Sequence, residues 1–362
     1  MRIDKSANGW RVVFMKRDVT RYRFDNHLEM ARLPYFAVRD GHLVLTDPAI
    51  GPIIDMHTHV ANAFGWAKPI DLRKLTEKTD LWLPVDDFVD LDVYANQNVT
   101  PKRRSKMVRS FFVRSLLDPM GGGYRRSATM ANLVRDTTDL GMTHAVVLPL
   151  DVPFISHNAE TQIKAARDYP AITCLGCVHP FARNMEADLD KQKQMGAPGI
   201  KAHPSMLMVR PDHPKAMELQ RLCGEREMFI LWHCGPTGID GWSGQQRCLV
   251  RYFEKPIAAF ERTTFILGHS GALQMEQALD LACRYPNVWL ELSCQSLTNV
   301  RTILAKGPQD RLVLGSDWPM YHQAIPLAKV LIATEGNPEL RRKVLYDNAA
   351  RLLGLDKADR GH

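Results

Sequence analysis

From residue 128 onward the chain alternates between helical and strand-like patterns of apolar and polar positions. Helical patterns fall near 128–140, 159–169, 184–195, 214–227, 246–261, 273–284 and 297–306. Short apolar runs follow them at His144–Leu148, Ile172–Val178, Gly199–Ala202, Met228–His233, Thr264–His269, Val288–Ser293 and Arg311–Asp317. With Ile53–His59 ahead of them, these make eight predicted strands. Runs such as Ala145-Val146-Val147-Leu148 and Phe229-Ile230-Leu231-Trp232 are apolar at successive positions, which fits parallel strands covered on both faces. Eight such strands alternating with helices predict an α/β fold, a (β/α)8 TIM barrel. An open doubly wound sheet is the competing arrangement, but no Gly-x-Gly-x-x-Gly follows an early strand to mark a dinucleotide site.

Two regions depart from this beat. Residues 1–50 form an N-terminal extension, with short strands expected around Val12–Met15 and Leu43–Thr46. The barrel itself is expected over 51–356, interrupted by a long insertion, 60–127, directly after the first strand. In a barrel that insertion emerges at the C-terminal face, where active sites sit. Its Trp66, Trp82, Phe111, Phe112 and basic residues suit a cap over a pocket or a subunit contact, and a homodimer is one expectation. Gly121-Gly122-Gly123 reads as a flexible loop without the Gly-Lys-Ser/Thr ending of a phosphate loop.

Composition narrows the class. The chain has 362 residues, 45% hydrophobic and 24% charged, ordinary for a soluble globular enzyme. No apolar run approaches the ~20 residues of a membrane span, and the first 30 residues lack the pattern of a signal peptide. A cytoplasmic protein with no membrane partner is expected. Seven cysteines are scattered apart from Cys174 and Cys177, and without a second pair that spacing reads as buried, reduced thiols. The formal charge of +7 is concentrated at Lys102, Arg103, Arg104, Lys106 and Arg109, then Arg114, Arg125 and Arg126. Such a run can steer an anionic substrate. No nucleic-acid-binding motif accompanies it, so a small-molecule substrate is expected and nucleic acid is not.

The candidate chemistry lies at strand ends. His57 and His59 close the first strand, and side chains two apart on a strand share a face. Lys201 ends the fourth, His233 the fifth, His269 the sixth and Asp317 the eighth. Singly, a strand-end histidine is usually a hydrogen-bonded structural residue, and an aspartate after Gly-Ser a turn or cap. Jointly, a parallel barrel brings all six to one rim, and imidazoles with a carboxylate there suit a divalent metal.

With these residues in view, the chain resembles the amidohydrolase superfamily of metal-dependent (β/α)8 barrels. It looks most like the branch that includes aminocarboxymuconate-semialdehyde decarboxylase-like proteins. The resemblance spans about residues 51–355 and rests on Asp55-Met56-His57-Thr58-His59, Trp232-His233-Cys234-Gly235, Leu267-Gly268-His269-Ser270-Gly271 and Gly315-Ser316-Asp317-Trp318-Pro319. It implies that His57, His59, His233 and Asp317 are metal ligands, with Asp317 also a proton acceptor. It implies that His269 is a catalytic contact to substrate or water, or a ligand of a second metal. Lys201 is similar either to the carboxylated lysine that bridges two metals in binuclear members or to an amine that binds substrate. One and two metals both remain open.

Zinc suits the donor set, with manganese or iron as alternatives. A metal lowers the pKa of a water toward ~7, Asp317 takes the proton, and an amide, lactone or ester of a small, anionic substrate is cleaved. The alternative is a metal-dependent non-oxidative decarboxylase. A non-catalytic binding protein on the same barrel is the third reading. Arg125, Arg126, His179 and His203 are candidates to hold an anionic group, and Trp318 to line the pocket.

Overall fold

The structure is a computed structural model that describes residues 2–6, 9–13, 22–65, 67–100, 102–106, 123–152 and 155–355. Eight parallel strands carry the barrel: β1 Ile53–Thr58, β2 Met142–Val147, β3 Ile172–Cys174, β4 Gly199–Ala202, β5 Phe229–His233, β6 Phe265–Gly268, β7 Val288–Glu291 and β8 Leu312–Val313. Continuous ladders join β1-β2-β3 and β4-β5-β6-β7-β8. The two seams are crossed by isolated parallel bridges, Gly176 with Ile200 and Thr58 with Trp318. Strands β3 and β8 are shorter than the apolar runs that predicted them. Gly176 still donates to the Gly199 carbonyl at 2.9 Å, and Asp317 N–H to the His57 carbonyl at 2.7 Å.

The strands are buried on both faces, as their continuous apolar runs require: Ile54, Met56, Val146, Leu231, Ile266 and Val313 fill one core, and Ile53, Ile200, Ile230, Leu267 and Leu290 pack outward against the helices. Caps set the helix starts. Thr129 accepts from Asn132 N–H before Met130–Asp139, and Ser296 from Asn299 N–H before Leu297–Lys306, both at 3.1 Å; loss of such a cap costs about 1 kcal/mol. The helix expected over 246–261 is instead broken into Trp242–Arg247, Val250–Tyr252 and Glu254–Ala259. Pro256 accounts for the second break: it has no N–H for a continuous helix and is tolerated only in a first turn, which is where the last piece places it.

The expected strand at Leu43–Thr46 is His42–Leu45, paired antiparallel with Phe36–Arg39. The one expected at Val12–Met15 ends at Val13, as Gly9–Val13 paired with Arg2–Ser6; Met15 lies outside the described residues. So do Trp66, Arg109, Phe111, Phe112, Arg114, Gly121 and Gly122. The insertion after β1 folds back over the rim. Trp82 and Leu83 donate to the Pro319 and Met320 carbonyls at 3.0 and 2.8 Å, and Ala95 to the Cys294 carbonyl at 2.8 Å. It is tied to the N-terminal extension where Arg23–Phe24 pairs with Val89–Asp90. Among the described residues no helix is long and apolar enough to cross a membrane.

Candidate metal centre

The C-terminal rim opens into a cavity of about 270 Å³. Its floor is polar and its walls are mostly apolar, with Phe64, Trp82, Leu150, Ile155 and Met320 among them. His57, buried at the end of β1, has its Nδ1 2.6 Å from Glu291 Oε2. His59 donates from Nδ1 to the Leu148 carbonyl at 2.8 Å, since a carbonyl can only accept. Both Nε2 atoms are thereby turned inward, 3.2 Å apart. Asp317 brings Oδ1 to 3.3 Å from His59 Nε2 and 3.6 Å from His57 Nε2.

This is an electron-rich triangle. With each Nδ1 proton committed outward, neutral imidazoles present two lone pairs to a carboxylate oxygen, and only a positive charge reconciles the three. A divalent ion suits this place, because neutral histidine nitrogen and carboxylate oxygen are its usual ligands. Burial, reinforced by the Lys201 charge, holds the His57 imidazole well below its ordinary range. Burial alone would push the Asp317 carboxyl up, but the His59 hydrogen bond and the nearby Lys201 charge outweigh it and keep it below the usual carboxylate range.

Glu291 is a residue that sequence reasoning missed. At the end of β7 it accepts from His57 Nδ1, His269 N–H at 2.9 Å, Ser293 Oγ at 2.9 Å and Ser293 N–H. Burial pushes its carboxyl up to about 7, against the hydrogen bonds from the His269 and Ser293 backbone. A carboxylate that fixes a ligating histidine's tautomer is a recurrent support for metal sites. The signal available was a lone glutamate closing an apolar strand, Val288-Trp289-Leu290-Glu291. Gly315 makes the contact possible: a Cβ there would lie 2.2 Å from Glu291 Oε1 and 2.7 Å from His57 Cβ. Asp55 supports the other side, accepting from His57 N–H at 3.2 Å, Ser316 N–H at 2.9 Å, Ser316 Oγ at 2.6 Å and Gln323 Nε2 at 2.7 Å.

His269 sits in a left-handed turn, φ 55°, followed by Ser270 at 45° and Ala272 at 48°. Gln295 pins this turn by donating to the His269 and Ala272 carbonyls at 2.6 and 2.8 Å. Left-handed backbone in non-glycine residues costs on the order of 1–3 kcal/mol each and persists where surrounding contacts over-determine it. The His269 ring places Nδ1 2.7 Å from Ser293 Oγ and Nε2 3.1 Å from His233 Nδ1.

The structure does not gather every residue the sequence singled out. His57, His59 and Asp317 form one group, with Lys201 Nζ 3.3 Å from His57 Nε2. Burial lowers the Lys201 amine to about 8, opposed by Asp317 and Glu291. His233 stands apart from that group, beside His269 and stacked on His203 at 3.9 Å between ring centroids. Its buried Nε2 has no hydrogen-bond partner among the described residues. His203 does line the cavity. Arg125, His179 and Trp318 do not. Arg125 clamps the insertion by donating to the Asn62 and Lys68 carbonyls at 2.8 and 2.9 Å. His179 lies between Leu207 and Phe181, and Trp318 is buried with its indole N–H on Asp136 at 3.0 Å. Arg126 is also absent from the wall. For Arg125, His179 and Trp318, loop carbonyls, backbone N–H or a carboxylate take polar atoms that the sequence left free. Cys174 and Cys177 are buried free thiols.

Residues 54–355 match the Amidohydro_2 (amidohydrolase) family as a whole. The chain belongs to that family. It is therefore an enzyme of the amidohydrolase superfamily, a metal-dependent group, and it carries that group's barrel. No curated protein matches it by sequence. Among solved structures it is similar to a TIM-barrel protein of Bordetella bronchiseptica, at 15% identity over 84% of this chain and 99% of that one, TM-score 0.57. It is similar to 2,6-dihydroxybenzoate decarboxylase from Rhizobium, at 13% identity over 84% and 99%, TM-score 0.54. A zinc-bound amidohydrolase from Burkholderia multivorans matches at 13% identity over 84% and 99%, TM-score 0.53. At these identities the likeness is one of fold.

Proposed function

We propose that the chain is a metal-dependent hydrolase that cleaves an amide, lactone or ester of a small substrate with a largely apolar body and one anionic or carbonyl group. The observation that carries this reading is the convergence of His57 Nε2, His59 Nε2 and Asp317 Oδ1 within 3.2–3.6 Å at the floor of an open cavity. Three protein ligands with the remaining position open to the cavity are the pattern of a catalytic rather than a structural zinc site. A divalent ion there, zinc by the donor set, supplies Lewis acidity and a water acidified toward a pKa of ~7.

The protein's own groups do the rest. Asp317, kept ionised, accepts the proton of the attacking water and returns it to the leaving group. His269, neutral through burial, faces the reacting carbonyl and is held in place by Ser293. Lys201 is the only lysine or arginine among the described lining residues, so a single substrate carboxylate or carbonyl oxygen pairs with it. The apolar walls take the substrate's body and exclude water, which strengthens each of these interactions.

Decarboxylation is the second reading, favoured by the same walls: a carboxylate beside Lys201 in an apolar cavity is poorly solvated. A panel of aryl and alkyl esters, lactones, amides and aromatic carboxylic acids, incubated with zinc-loaded protein, separates the two. Acid release that stops with a chelator and returns with zinc supports the hydrolase. Carbon dioxide release under the same control supports the decarboxylase, and neither from a metal-loaded protein contradicts both.

A further inference from the structure

Asp317 has two carboxylate oxygens, and they serve different neighbours. Oδ1 faces His59 and His57. Oδ2 faces the thiol of Cys294, whose Sγ lies 3.7 Å away. One donor atom each from His269, Cys294 and Asp317 falls within 4.8 Å of the others, a second group of metal-ligating side chains on the same cavity floor. The three residues lie in the segments that follow three adjacent strands, β6, β7 and β8, and each has left-handed backbone: φ is 55° at His269, 65° at Cys294 and 63° at Asp317. Cys294 is fixed from both sides. Its carbonyl accepts from Ala95 N–H at 2.8 Å, and the preceding Ser293 is tied to Glu291.

We propose that His269, Cys294 and Asp317 form a second cation position, with Asp317 bridging it to the His57–His59 position. This rests on the metal-dependent reading above and goes beyond it by assigning a thiolate ligand and a second ion, with His269 a ligand of that ion in place of a direct contact to the reacting carbonyl. On coordination the Cys294 thiol gives its proton to solvent and the sulfur lone pair to the ion, as coordinated thiols do. A site of one nitrogen, one sulfur and one oxygen selects zinc or cobalt over manganese, magnesium and calcium, because soft thiolate disfavours hard ions. Lys201 is then free to remain an unmodified amine, since the bridge is supplied by Asp317. The other cysteines on or beside the rim strands, Cys174, Cys177 and Cys234, belong to no such group among the described residues.

The test is a cobalt(II) titration of metal-stripped full-length protein, followed by absorbance and by elemental analysis after desalting. Wild type is expected to take up two equivalents, with visible ligand-field bands from the first and a near-ultraviolet thiolate-to-cobalt charge-transfer band that grows with the second. Cys294→Ser is expected to keep the visible bands and lose both the near-ultraviolet band and one equivalent. Visible bands without the near-ultraviolet band in wild type overturn the thiolate assignment and leave the first metal position standing. A near-ultraviolet band that persists in Cys294→Ser overturns it as well, by placing the sulfur elsewhere. The wild-type result does not depend on the variant's folding, which circular dichroism checks separately. No cobalt uptake at all overturns the metal-centre reading and this inference with it.

Discussion

Glu291→Gln is the substitution that most sharply separates a metal-supporting role from mere packing. The side chain keeps its shape and volume, so the buried β7 position is neither emptied nor overfilled. What changes is the donor count. Glu291 accepts from four groups, and its Oε2 alone takes His57 Nδ1, His269 N–H and Ser293 Oγ. If the amide oxygen occupies that position, the amide nitrogen faces Ser293 N–H, donor against donor. If the amide turns over, its N–H faces His57 Nδ1, which must then accept, and the His57 proton moves to Nε2. Either outcome costs one buried hydrogen bond, and the second also removes a lone pair from the metal triangle. Loss of such an outer-shell carboxylate typically weakens metal binding 10- to 100-fold, which is about 1.4–2.7 kcal/mol. Zinc affinity measured by competition with a chromophoric chelator, for wild type and Glu291→Gln side by side, reads this directly. An affinity unchanged within threefold, in a variant with an unchanged melting temperature, refutes the argument that Glu291 sets the His57 tautomer.

Gly315→Ala places a methyl against Glu291 Oε1 and His57 Cβ, and overpacking of this kind costs ~1–3 kcal/mol; the urea midpoint should fall, and zinc affinity with it. Lys201→Met should raise KM toward a panel substrate with kcat largely kept and metal content unchanged, whereas lost metal would point to a bridging lysine. His322, ring-to-ring with His27 at 4.6 Å, is lowered to about 3 by burial, then by the positive fields of His27 and His42. Its folded pKa is below the unfolded 6.5, so the unfolded chain binds the extra proton and stability falls as pH drops from ~6.5 toward 3. At pH 5 the cost is at most about 2 kcal/mol, and His322→Gln should flatten the decline between pH 7 and 5 in denaturant titrations; equal slopes in both proteins would sink this assignment.

The barrel was legible because its strands are buried on both faces, so runs such as Phe229-Ile230-Leu231-Trp232 carry no polar interruption. His57, His59, Lys201, His233, His269 and Asp317 stood out for the same reason: each is a polar group ending an apolar run. Glu291 also closes an apolar run and Cys294 follows three residues later, and they went unread because a single glutamate or cysteine carries no spacing signal. Their meaning comes from contacts to His57 and Asp317 on other strands of the barrel, 234 and 23 residues away. The misplaced substrate contacts have a common cause. Arg125, His179 and Trp318 lie close to the rim in sequence, but loop backbone groups and the Asp136 carboxylate claim their polar atoms, and only the folded loops show it. The break at Pro256 was readable in principle, while the left-handed turn at His269 depends on Gln295, held in turn by Lys329 donating to its carbonyl at 2.7 Å.

The central claim is that His57, His59 and Asp317 hold a catalytic metal. Metal content per chain, measured by elemental analysis of protein purified without added metal and again after zinc reconstitution, tests it most directly, with His59→Ala beside it. At least one tightly held transition-metal ion per chain in wild type, with the His57–His59 equivalent lost in His59→Ala, is the predicted result. No metal in wild type after reconstitution, or an undiminished content in His59→Ala, would contradict it.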